Sequence, residues 1–160
     1  MPGRSAIHRV AAFAAAALIT TAIGCGSDSN EGAPAACVAS SDAYLRALES
    51  APDQVRLDGE VPISDCLVPS QDGGELANVG EELVVTASTL NAEARANPGG
   101  AAAVRLGYLI GAVSKGADSI HTDLVRRLDS SAQFSETGET LPPQFQRSFG
   151  LGYTAGLQSG

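Results

Sequence analysis

The sequence predicts an all-α protein: a four-helix, bundle-like domain built on a long antiparallel helical hairpin and closed by one disulfide. Three observations carry this. Apolar residues make up 44% of the chain but aromatics only 4%, with no Trp, so a core of Ala, Leu, Val and Gly must bring backbones close, as packed helices do. Apolar positions recur at spacings of three and four along two long segments, 73–96 and 101–130, which is the period of a helix face. Between them stands Asn97-Pro98-Gly99-Gly100, a stop signal so short that the chain must return antiparallel. At 160 residues the chain is sized for a single domain.

The charge balance excludes two classes of partner. Ten basic residues against 18 acidic give a formal charge of −8. Residues 1–24 hold Arg4 and Arg9 and no acid, so the remainder carries 8 against 18, about −10. Binding a nucleic-acid backbone takes Lys and Arg to displace counterions, so no nucleic-acid partner is expected. Docking on anionic lipid by charge is excluded for the same reason. The acidity suits solubility.

At the N-terminus a basic stretch, "MPGRSAIHR", precedes fifteen uncharged, mostly apolar residues, 10–24. This has the form of a secretory signal, and it is shorter than the roughly 20 residues a helix needs to cross a bilayer. The run ends in Ala22-Ile23-Gly24-Cys25, which resembles the lipobox of bacterial lipoproteins, with Ala22 where Leu is commonest in that pattern. The resemblance covers residues 1–25. It implies diacylglyceryl transfer to the Cys25 thiol, whose thiolate is the nucleophile, and cleavage before Cys25. It also implies a lipid anchor on the extracytoplasmic face of the cell membrane or outer membrane. Residues 1–24 are then the signal peptide and 25–36, which lack any apolar period, a flexible tether. Residues 37–160 are the helical domain.

Three cysteines in a secreted chain leave one to be explained. With Cys25 lipidated, Cys37 and Cys66 form an even pair in an oxidising compartment. Closing that loop of about 30 residues restricts the unfolded chain by about 3.5 kcal/mol on the chain-entropy argument. The competing pairing, Cys25 with Cys37, leaves Cys66 free and cross-links a stretch with nothing to pack.

The first helix is predicted over 37–51, with Ser40, Ser41 and Asp42 as caps, Tyr44, Leu45 and Leu48 on its apolar face, and Pro52 as its stop. Residues 53–69 hold an Asp58-Gly59 turn signal and two prolines, and read as an irregular connection pinned through Cys66. Arg56, Asp58, Glu60 and Asp65 give it a charged surface. The second helix, 73–96, follows a cap at Asp72 with Glu75 three residues on. Leu76, Val79, Leu83, Ala87, Leu90 and Ala94 form its stripe. The third, 101–130, aligns Leu106, Ile110, Val113, Ala117, Ile120, Leu124 and Leu128. Its first half is apolar on nearly every side except Arg105, which predicts a central position. After the break "FSETGETLPP", a fourth helix begins near Pro142, with Phe145, Phe149, Gly152, Tyr153 and Gly156 on one face.

An internal echo links the third and fourth helices: "LGYLIGAVSKG" from Leu106 and "LGYTAGLQSG" from Leu151. Each carries glycines four apart beside a tyrosine, Gly107/Gly111 and Gly152/Gly156. A glycine inside a helix costs roughly 1 kcal/mol against Ala, so four of them call for an offset. Close helix-to-helix packing across these small faces supplies one. A membrane dimer does not fit, because Arg105 and Lys115 bound a stretch too short to span.

No catalytic or metal-binding constellation is legible, and no cofactor motif: there is no CxxC, phosphate loop or HExxH. His121 is the one histidine after the signal. With Asp118 it faintly echoes the carboxylate-x-x-His of di-iron bundles, which need a second such motif. On a continuous helix it falls on the polar side and is expected to be exposed. Arg126 and Arg127 beside Asp123 and Asp129 are expected as surface ion pairs. The leading expectation is therefore a non-enzymatic interaction or scaffold module with an envelope protein as partner. The alternative is a small-molecule- or cofactor-binding bundle with its pocket near Tyr108 and Tyr153, where glycines leave room.

Overall fold

The computed structural model describes residues 32–133 and 140–160. Residues 1–31, with the signal-like segment and Cys25, lie outside the described residues, as does most of the break before the last helix. Among the described residues there are five α-helices: α1 (Ser41–Ala47), α2 (Gly73–Ala96), α3 (Ala101–Gly116), α4 (Thr122–Ser131) and α5 (Pro143–Ser159). Short 3-10 turns at Ala35–Val38, Leu48–Ser50, Ile63–Cys66 and Ser119–His121 join or extend them. The domain is all-α: the described residues hold no strand, only an isolated bridge between Leu57 and Val61. That bridge closes the Asp58-Gly59 turn, where both residues have positive φ, 50° and 79°.

The α2 helix begins where its sequence signals place it. The Asp72 carboxylate accepts the N–H groups of Gly74 at 2.8 Å and Glu75 at 2.9 Å, which satisfies two of the donors a helix start leaves unpaired. Val79, Leu83, Ala87, Leu90 and Ala94 are buried along one face. Asn97–Gly100 then turns the chain, with the Gly100 N–H donating to the Asn97 carbonyl at 2.9 Å, and α3 packs back against α2. Within α3, every residue from Leu106 to Val113 is buried. Central placement follows, since α3 touches α2, α4, α5 and the turns at 48–50 and 63–66.

Three expectations are corrected. The helix predicted over 101–130 is two helices. Ala117 is extended (φ −72°, ψ 140°) and Asp118 likewise (φ −123°, ψ −162°). Asp118 starts the next turn by accepting the Ile120 N–H at 3.0 Å, and His121 Nδ1 accepts the Asp118 N–H at 3.1 Å, a capping box with His in the usual place of Glu or Gln. Ile120, placed on the apolar stripe, is 43% exposed. The first helix is also interrupted: a 3-10 turn precedes extended Ala39, and α1 starts at Ser41. Its first donor goes to a distant residue, with the Ser41 N–H donating to Glu82 Oε2 of α2 at 2.5 Å. Finally, residues expected as tether are partly packed. Ala33 and Ala36 lie against the core, and Ala35 opens the first 3-10 turn.

Cys37 and Cys66 are joined in a disulfide, with Cα atoms 5.3 Å apart and both residues fully buried. It ties the first turn of the domain to the Ile63–Cys66 turn, and that turn is seated on α3. A Cβ on Gly116 would collide with the Ser64 carbonyl.

Candidate functional site

Two arrangements position the polar and special residues of the domain. The first is the α3–α5 contact, the most extensive helix pairing in the fold. Gly107, Gly111, Gly152 and Gly156 all lie in it, each facing backbone. A Cβ on Gly107 would collide with the Phe149 carbonyl and stand 2.8 Å from Tyr153 N; one on Gly152 would collide with the Val104 carbonyl and stand 2.8 Å from Tyr108 N. Gly111 faces the Tyr153 carbonyl, with Leu157 N 3.0 Å from its Cβ position. Gly156 faces the Tyr108 carbonyl, with Ala112 N at 2.8 Å.

These pairings run in the same direction along both helices, so α3 and α5 are parallel. They are also reciprocal. Position 107 matches 152 and 111 matches 156, an offset of 45, and the residues met by Gly152 (104 and 108) plus the same offset are those met by Gly107 (149 and 153). The two helices are thus related by an approximate two-fold axis between them. The sequence echo is the imprint of that symmetry. Phe145, Phe149 and Tyr153 stack along α5, with ring centroids 5.6 and 6.1 Å apart.

This geometry corrects the pocket expected near Tyr108 and Tyr153. The glycine notches are filled by the facing helix's own backbone. Tyr108 is fully buried, and its hydroxyl oxygen accepts the Val55 N–H at 3.2 Å and lies 3.1 Å from Ser159 Oγ. Neither groove described below is lined by Tyr108 or Tyr153.

The second arrangement is a buried polar chain that starts at the disulfide. The Tyr44 hydroxyl donates to the Cys37 carbonyl at 2.7 Å and lies 3.7 Å from Cys66 Sγ. Burial, and secondarily the charge of Glu82, hold the Tyr44 hydroxyl well above the ordinary tyrosine pKa. Gln71 Nε2 donates to the Cys66 carbonyl at 3.2 Å, and Gln71 Oε1 lies 3.3 Å from His121 Nε2. Because the Gln71 amide oxygen can only accept, His121 Nε2 carries a proton and donates to it. His121 is fully buried, contrary to the exposed surface residue expected. The helix break at 117–118 resets the helical phase, which turns His121 inward. Both ring nitrogens are engaged in holding the corner between α3 and α4, and the same Nδ1 lies 2.9 Å from Asp118 Oδ1.

On the surface, Arg126 pairs with Asp123 at 2.7 Å, with both side chains largely exposed. Two grooves run between α2 and α4. One, of about 310 Å³, is lined by Ser88, Asn91, Arg95, Ser131 and Gln133 among others. There Asn91 Nδ2 donates to the carbonyls of Ser131 and Gln133, each at 2.9 Å, while its Oδ1 is buried without a partner. The other, of about 250 Å³, is flanked by Leu76, Gly80, Ile120 and Arg127. Among the described residues no group of three His, Cys, Asp or Glu side chains could hold a metal ion, and no helix is long and apolar enough to cross a membrane.

Fold and contacts define a disulfide-bonded, all-α domain with a glycine-notched parallel helix pair. Comparison of the chain with protein-family models, with curated proteins and with solved structures finds no match.

Proposed function

We propose that this chain is a lipoprotein, held through lipid on Cys25 at the extracytoplasmic face of the cell membrane or outer membrane, whose helical domain acts as a non-enzymatic interaction module for an envelope protein. One observation carries the reading. The Cys37–Cys66 disulfide takes two of the three cysteines, so the third is Cys25, at the end of the lipobox-like segment. A buried disulfide also suits an oxidising, extracytoplasmic compartment. From Cys25 to Gly32, which lies against the Glu75 carboxylate, seven residues reach at most about 25 Å. A domain so tied stays at the membrane surface with the start of α2 nearest to it.

The test is expression of the full chain in a bacterium fed a labelled fatty acid. Label is expected on a mature chain beginning at Cys25, with loss of label and of membrane retention in Cys25→Ala. An unlabelled mature chain cleaved elsewhere would overturn the anchor. For the module, capture from envelopes with the native anchor is expected to recover a protein in fixed ratio. A small molecule carried through purification, or turnover that depends on His121, would overturn the non-enzymatic reading.

A further inference from the structure

The groove between α2 and the end of α4, about 310 Å³ in volume, has a polar lining whose hydrogen-bonding capacity is one-sided. On its floor Asn91, only 6% exposed, spends Nδ2 on the carbonyls of Ser131 and Gln133, and its Oδ1 has no partner among the described residues. A buried acceptor left without a donor forfeits its hydration for nothing in return, so this oxygen is an unmet demand for an O–H or N–H. The serines of the walls add to that demand. Ser88, Ser130 and Ser131 each turn the hydroxyl hydrogen back onto a carbonyl one helical turn earlier, those of Val84, Arg126 and Arg127. With their protons spent, these oxygens can only accept. The C-terminal end of α4 acts in the same sense, since a helix carries partial negative charge there. Arg95 is the opposite: one described bond, from Nη2 to the Gln133 carbonyl at 2.9 Å, uses a small part of a guanidinium's N–H groups.

These features select the chemistry of an occupant. An anion would meet acceptors and the negative end of α4. A cation would meet the charge of Arg95. An apolar group would leave Asn91 Oδ1 unpaired. A neutral, hydroxyl-bearing molecule suits all of them, because each hydroxyl donates, here to Asn91 and the serines, and also accepts, here from Arg95. The volume lies at the small end of the roughly 300–1,000 Å³ of ligand sites, which is room for one sugar ring. Asn91 Oδ1 is closed off from solvent as the groove stands. Its neighbours one turn away on either side along α2, Ser88 and Arg95, are both exposed, so rotation of either side chain opens the way to it.

We propose that this groove binds a neutral polyhydroxylated ligand, a single saccharide ring. Asn91 Oδ1 and the oxygens of Ser88, Ser130 and Ser131 take its hydroxyl protons, and Arg95 donates to its oxygens. The site goes beyond the interaction-module reading and rests neither on the lipid anchor nor on a protein partner. Four hydrogen bonds of ordinary net strength correspond to a dissociation constant on the order of 1 mM, so the ligand exchanges freely and is not retained through purification.

Magnetic resonance on the isotope-labelled full chain carrying Cys25→Ala tests this. Glucose, galactose and mannose are titrated in separately. At least one is expected to shift the Asn91 side-chain amide and the Arg95 Nε–H saturably at millimolar concentration, while methylammonium and acetate at the same concentration leave them in place. Ala92→Leu is the control. Ala92 lines the groove and is exposed, so the larger side chain fills the space without entering the core. It is expected to abolish the sugar shifts at an unchanged melting temperature. The site is overturned by the absence of a saturable shift with all three sugars, by a larger shift with methylammonium or acetate, or by sugar shifts that survive Ala92→Leu.

Discussion

The α3–α5 contact and the corner around the disulfide hold the same domain together by opposite means. Along α3 and α5 the recognition groups are absences: four glycines let carbonyl and amide groups of one helix approach the other directly. At the corner, side chains do the joining, through the Cys37–Cys66 bond and the Tyr44, Gln71 and His121 hydrogen bonds. The first kind of joint is intolerant of any added atom. The second is intolerant of loss. Substitutions should therefore separate the two regions by sign as well as by size.

Gly152→Leu should do the most damage, because its first added carbon meets the Val104 carbonyl and no side-chain rotation relieves the clash. We expect a loss of about 4 kcal/mol or more, read as a fall in the urea midpoint. Replacing Cys37 and Cys66 together by Ser should cost about 3.5 kcal/mol, and the same loss should appear when the wild-type protein is unfolded under reducing conditions. His121→Leu leaves the Asp118 N–H and Gln71 Oε1 without partners, at a cost of about 2 kcal/mol. Melting of the α3–α4 corner before the rest should show as early amide exchange at Ile120.

Tyr44 sharpens the contrast through pH. Its folded-state pKa is raised by burial, so its contribution to stability is fully present below the unfolded value near 10 and is lost as pH rises beyond it. Wild type should lose stability steeply above about pH 10, and Tyr44→Phe should flatten that limb while costing about 1 kcal/mol at neutral pH. The smallest expected effect is a gain. Gly150 lies in α5 two residues before the first notched position, Gly152, yet a Cβ there meets nothing within 4 Å. Gly150→Ala should raise stability by up to about 1 kcal/mol. A loss instead would mean that α5 needs glycine for reasons other than contact.

What could be read from the sequence followed from how local its cause was. The ends of α2 are set by Asp72 and by Asn97-Pro98-Gly99-Gly100, residues within one turn of the boundary they fix, so both ends were legible. The disulfide was legible by counting. The break at 117–118 was not, because the apolar spacing continues through it; its signal was Asp118 three residues before His121, read as a faint metal motif when it is a cap. The start of α1 falls within the Ser40–Asp42 cap signal, but the Ser40 side chain makes no cap bond and the Ser41 N–H goes instead to Glu82, 41 residues away. The glycines of α3 and α5 offered two readings, a ligand's room or a backbone's. Only the parallel approach of the two helices, a long-range fact, selects the second.

Parallel packing also aligns two macrodipoles, each equivalent to about half a negative charge at its C-terminal end. The ends of α3 and α5 come together near Gly116 and Gly160, and Lys115 stands between them, its Nζ 2.8 Å from the Gly160 carbonyl oxygen and 3.4 Å from that of Gln158. It is the chain's single lysine. One ammonium thus offsets two like poles, and its acylation would leave both uncompensated. An amine-selective reagent consequently has one side-chain target in this protein, and that target reports whether α5 is seated.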